Sequence, residues 1–326
     1  MATYKGIQGQ TVQKLSSDLT SSAATLGQLW YNGTGSPASD GAFKIAAAAD
    51  GVWSSGGGMV NARLDLGCTG TQTATIAMAG QTSPTWNYTE TYNGTAWTEV
   101  ADLNNDRGYC AAFGTQTAAI VGGGSPQPAA GTVTESWNGS TWTEVNVQPF
   151  ATYAQMRGGI QTAGIQGGGS TSATESIEWD GTNWTETGDV NTARTYTCGG
   201  GPQTSALMAA GSTPTATAAV ETYNGSTWST SPASMNSARK ALGGSASSDT
   251  NALAYGGEPG AQSITESWNG TAWTEVADLA TAAVEPGFGS TGSNTACLCV
   301  TGAAPRTGVT EEWNDPIYSV KTVTVS

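Results

Sequence analysis

With no histidine anywhere in its 326 residues, this chain must do any acid–base or metal chemistry with carboxylates, phenols and thiols. The thiols are Cys68, Cys110, Cys198, Cys297 and Cys299. Cys297 and Cys299 would share one face of a strand, but two sulfurs without further ligands make no tetrahedral metal site. All five read as small core residues, and neither a disulfide framework nor a metal is expected. Asp102, Asn104 and Asp106 alternate oxygen ligands as a calcium loop does. Arg107 then stands where such a loop wants glycine, and no acidic residue closes it in step, so the string reads as ordinary loop. Arginines recur as Arg63, Arg107, Arg194 and Arg239, with Arg157 a looser match. They could line one face as an anion site. The expected alternative is a buried or half-buried pairing with an equally regular set of glutamates, Glu90, Glu135, Glu221 and Glu266. No catalytic residue, cofactor or metal is assigned, and the chain is not expected to be an enzyme.

Charge narrows the partners. The formal net charge is −14, from 11 basic and 25 acidic residues, so a phosphate backbone is repelled and no nucleic-acid partner is expected. No apolar run approaches the roughly 20 residues of a membrane span, and Met1 to Gln13 has no apolar core like that of a secretory signal. Synthesis in a cytoplasm, with no membrane partner, is the expectation.

The elements that must position these groups come from a repeat. Tyr92-Asn93-Gly94-Thr95-Ala96-Trp97 returns as Trp137-Asn138-Gly139-Ser140-Thr141-Trp142 and as Trp179-Asp180-Gly181-Thr182-Asn183-Trp184. It returns again from Tyr223 through Asn224 to Trp228, and from Trp268 through Asn269 to Trp273. With Trp53 added, the closing tryptophans Trp53, Trp97, Trp142, Trp184, Trp228 and Trp273 are 44, 45, 42, 44 and 45 residues apart. Asn-Gly or Asp-Gly between β-prone segments predicts a hairpin with a type I′ turn. Between these hairpins recur Gly70-Thr71-Gln72-Thr73-Ala74, Gly114-Thr115-Gln116-Thr117-Ala118 and Gly159-Ile160-Gln161-Thr162-Ala163, each followed by a short apolar strand with small residues at its end. Each unit therefore reads as four antiparallel strands, which is one propeller blade. The recurrent tryptophans are expected to pack between blades.

The Gly-Gly ending of the second strand, the aromatic closing the third, the Trp opening the fourth and the following Arg resemble a kelch repeat over roughly residues 52–315. The sixth unit departs from it, losing the Arg near Ala283 to Glu285, and the third carries Ile177 where its neighbours carry Glu135 and Glu221. The resemblance implies an all-β, six-bladed kelch-type β-propeller with an extended N-terminal arm. The arm is placed at residues 1–40 and the propeller at 41–326, closed by pairing of N- and C-terminal strands: residues near 43–55 should complete the blade begun by 282–315. Kelch-like copper oxidases are no guide to a chain without histidine, and the few scattered arginines fit a sialidase-type propeller poorly. A Glu–Asp pair at the mouth of the central channel is left open by the sequence.

Leu26-Gly27-Gln28-Leu29-Trp30-Tyr31-Asn32, with the Gly/Thr/Ser-rich stretch and Phe-Lys-Ile strand after it, resembles stretches of phage structural proteins, especially those of marine and cyanobacterial viruses. The resemblance implies a non-enzymatic structural protein of a tail, neck or capsid surface, present in several copies among other virion proteins and made in the host cytoplasm. Leu29, Trp30 and Tyr31 are the candidate attachment residues. An alternative is a host-recognition module that binds cell-surface polysaccharide, for which Trp86, Tyr88, Phe150 and Tyr153 are the candidate contacts. A second alternative is a cellular kelch adaptor.

Overall fold

The computed structural model of the chain describes residues 13–15, 17, 19, 28–32, 42–81, 86–126, 131–170, 173–287, 292–300, 308–315 and 317–322. Every regular element among them is a strand, and the chain divides into two compact units, residues 52–314 and residues 1–51 with 315–326.

Residues 52–314 form a six-bladed β-propeller. The first blade runs Gly67–Thr71, Ala74–Met78, Thr89–Tyr92 and Trp97–Glu99, each strand antiparallel to the last. Four further blades repeat this order, beginning at Ala111, Met156, Cys198 and Gly243. First strands of adjacent blades lie against one another and surround the axis. Second strands are sandwiched between blades, which is why Ala74–Met78 and Asn251–Tyr255 are apolar on both faces and buried after their first residue. Fourth strands bury their opening Trp and expose the rest.

The repeated strings are interblade fastenings. Gln116 Nε2 donates to the carbonyl of Tyr92 in the preceding blade at 2.6 Å, and Gln161 and Gln72 do the same to Trp137 and Trp313. Fourth-strand Trp97, Trp142, Trp184, Trp228 and Trp273 are 5–9% exposed, and each stacks at 5.1–5.4 Å on the aromatic across its own hairpin.

The hairpin turns differ from expectation. Only the glycines, Gly94, Gly139, Gly181, Gly225 and Gly270, have positive φ, so the turn is not type I′. Tyr92 pairs with Trp97, leaving four residues in the loop, and Asn93 Oδ1 accepts the amides of Thr95 and Ala96. Asn138, Asp180, Asn224 and Asn269 each accept the corresponding pair. The side chain, acting as a local acceptor, replaces the backbone geometry that the dipeptide predicts.

Ring closure is part expectation, part correction. Val52–Ser55 pairs antiparallel with Thr310–Asn314, Trp53 opposite Trp313, and serves as the outer strand of the sixth blade. Ala42–Ala49, expected to join that blade and placed with the propeller, lies instead in the second unit, where it pairs over six residues with Ile317–Thr322. The blade needs only the four residues after Gly51, which leaves the alanine-rich strand to a longer ladder. In the same sheet Leu29–Asn32 pairs antiparallel with Ala42–Ala49, and Gln13–Leu15 pairs parallel with Leu29–Asn32. Trp30 is 1% exposed and Leu29 half-buried. The side chain of Tyr31 and most of residues 1–40 lie outside the described residues.

Candidate functional site

Most side chains capable of chemistry are engaged in holding the blades. Arg107, Arg194 and Arg239 meet Glu135, Glu221 and Glu266 at 2.7, 2.6 and 2.9 Å, and Arg63 pairs with Glu90. All eight are buried. Each glutamate also takes backbone amides of the loop that carries its arginine, as Glu266 takes those of Asn236 and Ser237. In the sixth blade Ala283 stands at the arginine position, and Glu311 takes the amides of Ala280 and Thr281. In the third, where Ile177 replaces glutamate, buried Gln148 and Gln155 both donate to Gln166. Arg157 is not one of this set. It sits in the inner strand Met156–Ile160, where burial lowers its pKa to about 10 and the thiols of Cys68, Cys110 and Cys198 surround it electrostatically.

The calcium-like string is dispersed. Asp102 accepts the Thr89 amide, Asp106 accepts that of Trp86, and Asn104 donates to Glu135. Among the described residues no group of three or more Cys, Asp or Glu could hold a metal ion. All five cysteines are buried, and burial pushes the Cys68 and Cys198 thiols up to about 12.

A different set converges on the axis. The residue two after each arginine position is left-handed: Asp65, Tyr109, Ala154, Tyr196, Ala241 and Glu285, with φ from 52° to 58°. Such a conformation costs roughly 1–3 kcal/mol for a non-glycine residue. Here the ring sustains it by hydrogen bonds from blade to blade. Tyr109 N–H donates to the Asp65 carbonyl at 2.8 Å, Ala154 to Tyr109 at 3.0 Å and Tyr196 to Ala154 at 2.8 Å. Ala241 donates to Tyr196 at 3.0 Å and Glu285 to Ala241 at 2.9 Å.

The side chains on this ring meet. Tyr109 and Tyr196, from blades two apart, are edge to face at 5.9 Å, which is possible only over the axis. Ala154 and Ala241 leave them room. Tyr153 stands 6.0 Å from Tyr109. Asp65 is fully buried, whereas Glu285 and the three tyrosines are half-buried. Lys240 and Glu258, 3.3 Å apart and about one-third exposed, complete the rim.

Burial first, then the neighbouring Glu285 carboxyl, push Asp65 up to about 8; hydrogen bonds from Tyr109 and from Gln81, at 2.6 Å to Oδ2, oppose this. Burial likewise raises Glu285, and it raises Tyr109 and Tyr196 above the usual phenol range with help from these carboxyls. Asp65 Oδ1 is buried with no hydrogen-bond partner among the described residues. Two carboxyls so placed share a proton near neutral pH, and the pair can exchange that proton for another positive group. This is the Glu–Asp pair that the sequence leaves open.

At the opposite ends of the inner strands is a cavity of about 260 Å³ whose lining includes Gly70, Phe113, Gly114, Ile160, Gly201 and Ser247.

Of the aromatic candidates, Tyr153 belongs to the axial cluster. Phe150 packs against the buried core around Trp179 and Trp184. Trp86 and Tyr88 are half-buried, and their carbonyls accept the amides of Arg107 and Ala79. Sequence reasoning passed over Asp65, Tyr109, Tyr196 and Glu285 because it sought what repeats. Their signal is the reverse: a fixed position, two after the arginine, where the residue type changes from unit to unit. Comparison with protein-family models and with curated proteins finds no match to this chain.

Proposed function

We propose that the chain is a non-enzymatic structural protein of a phage particle, a rigid disc carried on a separate attachment unit. The observation that carries this reading is that ring and tether close independently. Val52–Ser55 locks onto Thr310–Asn314 inside the propeller, while Ala42–Ala49 pairs with Ile317–Thr322 in a sheet of its own. A disc whose closure does not use its tether can stay rigid while the tether engages a neighbour. Gln13–Leu15 and Ile317–Thr322 are the outer strands of that sheet, and outer strands offer main-chain donors and acceptors for strand addition by another protein. The use of buried arginines, glutamates and thiols as interblade packing also favours a structural role.

The test is incorporation. Particles are assembled with the full chain or with residues 52–314 alone, and composition is read by mass spectrometry. The full chain should copurify at fixed stoichiometry. Residues 52–314 should give a folded β-rich disc by circular dichroism that stays out of the particle. Incorporation of the bare disc, or absence of the full chain from particles, overturns the reading.

A further inference from the structure

We propose that the axial mouth formed by Asp65, Glu285, Tyr109, Tyr153 and Tyr196 is a binding site for an organic ammonium group. The inference does not depend on whether the disc belongs to a particle.

The site has what such a ligand needs and lacks. Three phenol rings gather at the axis, Tyr109 lying 5.9 Å from Tyr196 and 6.0 Å from Tyr153, and the face of an aromatic ring attracts a cation. Asp65 forms a fully buried floor beside Glu285, and its Oδ1 has no hydrogen-bond partner among the described residues. A buried acceptor left without a donor is costly, and an N–H group entering the mouth would satisfy it. Glu285 supplies a second carboxyl at the half-exposed level. The charges facing the opening are Asp65, Glu285 and Glu258 against Lys240, which already pairs with Glu258. One further cation is therefore favoured electrostatically.

The chemistry excludes neighbouring classes. A bare Ca²⁺ is held mainly by carboxylates, and among the described residues no group of three or more Cys, Asp or Glu could hold a metal ion. A neutral polyol could donate to Oδ1 but brings no charge to take the place of the proton that the two carboxyls share. An ammonium group donates, neutralises and lies against aromatic faces at once. It could be a free amine or a lysine side chain of another protein; both present the same group.

Binding should displace the proton that Asp65 and Glu285 share, so affinity should rise between pH 6 and 8. The other ionisable groups at the mouth are Tyr109, Tyr153, Tyr196, Glu258 and Lys240; burial moves the Tyr109 and Tyr196 phenols further above that interval.

The full-length protein is titrated calorimetrically at pH 7 and matched ionic strength with n-butylammonium, tetramethylammonium, an N-acetyl-lysine amide, n-butanol and sodium chloride. At least one ammonium should bind saturably, at least ten-fold more tightly than n-butanol or sodium, with a heat that varies with the buffer's ionisation enthalpy as a proton is released. Tighter binding of the lysine amide assigns the ligand to a protein side chain, and tighter binding of the simple amines to a free amine. Asp65→Asn keeps the shape and tolerates the left-handed backbone; it and Glu285→Gln should each weaken binding at least ten-fold with the melting temperature held or raised. Ammonium binding no tighter than n-butanol overturns the proposal, as does undiminished binding by the Asp65→Asn/Glu285→Gln protein.

Discussion

Val220 lies against Trp273 at the place where every other fourth-strand tryptophan finds a hydroxyl. Trp97 Nε1 donates to Thr310, Trp142 to Thr89, Trp184 to Thr134, Trp228 to Ser176 and Trp53 to Thr265, at 2.9–3.2 Å across the blade interface. Val220 opens the third strand of its blade as those residues open theirs, and it shares a buried cluster with Trp273. Trp273 Nε1 is accordingly buried without a partner.

Val220→Thr should therefore stabilise the propeller by about 1 kcal/mol, the net worth of one hydrogen bond. In a thermal melt this is a rise of about 2–4 °C. Thr134→Val should do the opposite, by about 1–2 kcal/mol, because it orphans Trp184 Nε1. The same sign for both variants would refute the pairing.

Removing one member of a buried ion pair should be far more damaging. Arg239 bonds Glu266 with one guanidinium nitrogen and the carbonyls of Gly256 and Ile264 with the other. Arg239→Leu leaves Glu266 charged in the interior and should cost about 3–5 kcal/mol in urea unfolding. Adding Glu266→Leu should recover part of that loss, a coupling that a double-mutant cycle reads directly.

Asp65 gives a pH dependence of unusual sign. A carboxyl whose pKa rises on folding from its ordinary value of 3.8 to about 8 holds its proton longer in the folded state than in the unfolded one. Stability from this group is therefore full at acid pH and falls as pH rises between those two values. The slope should reach about 1.4 kcal/mol per pH unit where the folded site holds one more proton than the unfolded chain. Asp65→Asn should flatten the curve of unfolding free energy against pH over that interval.

The five thiols should be silent. All are buried, with burial raising their pKa, and thiolate is the reactive form. A disulfide reagent at pH 8 should label none of the five on the timescale on which it labels all in urea. Fast labelling of Cys297 or Cys299 in the native protein would contradict the burial described.

The architecture was legible because assembly imposes one demand at every blade. A Trp every 44 residues or so must fill each interface, and a turn glutamine must hook the carbonyl behind it. Where one position does two jobs the reading went less far. Asn93 signalled a turn correctly, but the dipeptide could not reveal that its side chain, accepting two amides, would set the loop. Phe43-Lys44-Ile45 reads as a strand, as it is, and nothing local to it names Ile317–Thr322 as its partner. The axial mouth was the least legible part. Asp65 and Glu285 are 220 residues apart and adjacent only because the ring closes.

That closure also sets a timetable for biosynthesis. Val52–Ser55 leaves the ribosome some 260 residues ahead of Thr310–Asn314 and must wait for it before its edge is covered. At about 5–20 residues per second the wait is roughly ten to fifty seconds. During that time five blades can be complete while the nascent disc remains an open arc with an exposed flank at each end. The vulnerable species in a cell is thus the nascent arc that still awaits this last strand pairing, and a chaperone that shields strand edges during translation should raise the yield more than one acting on released chains.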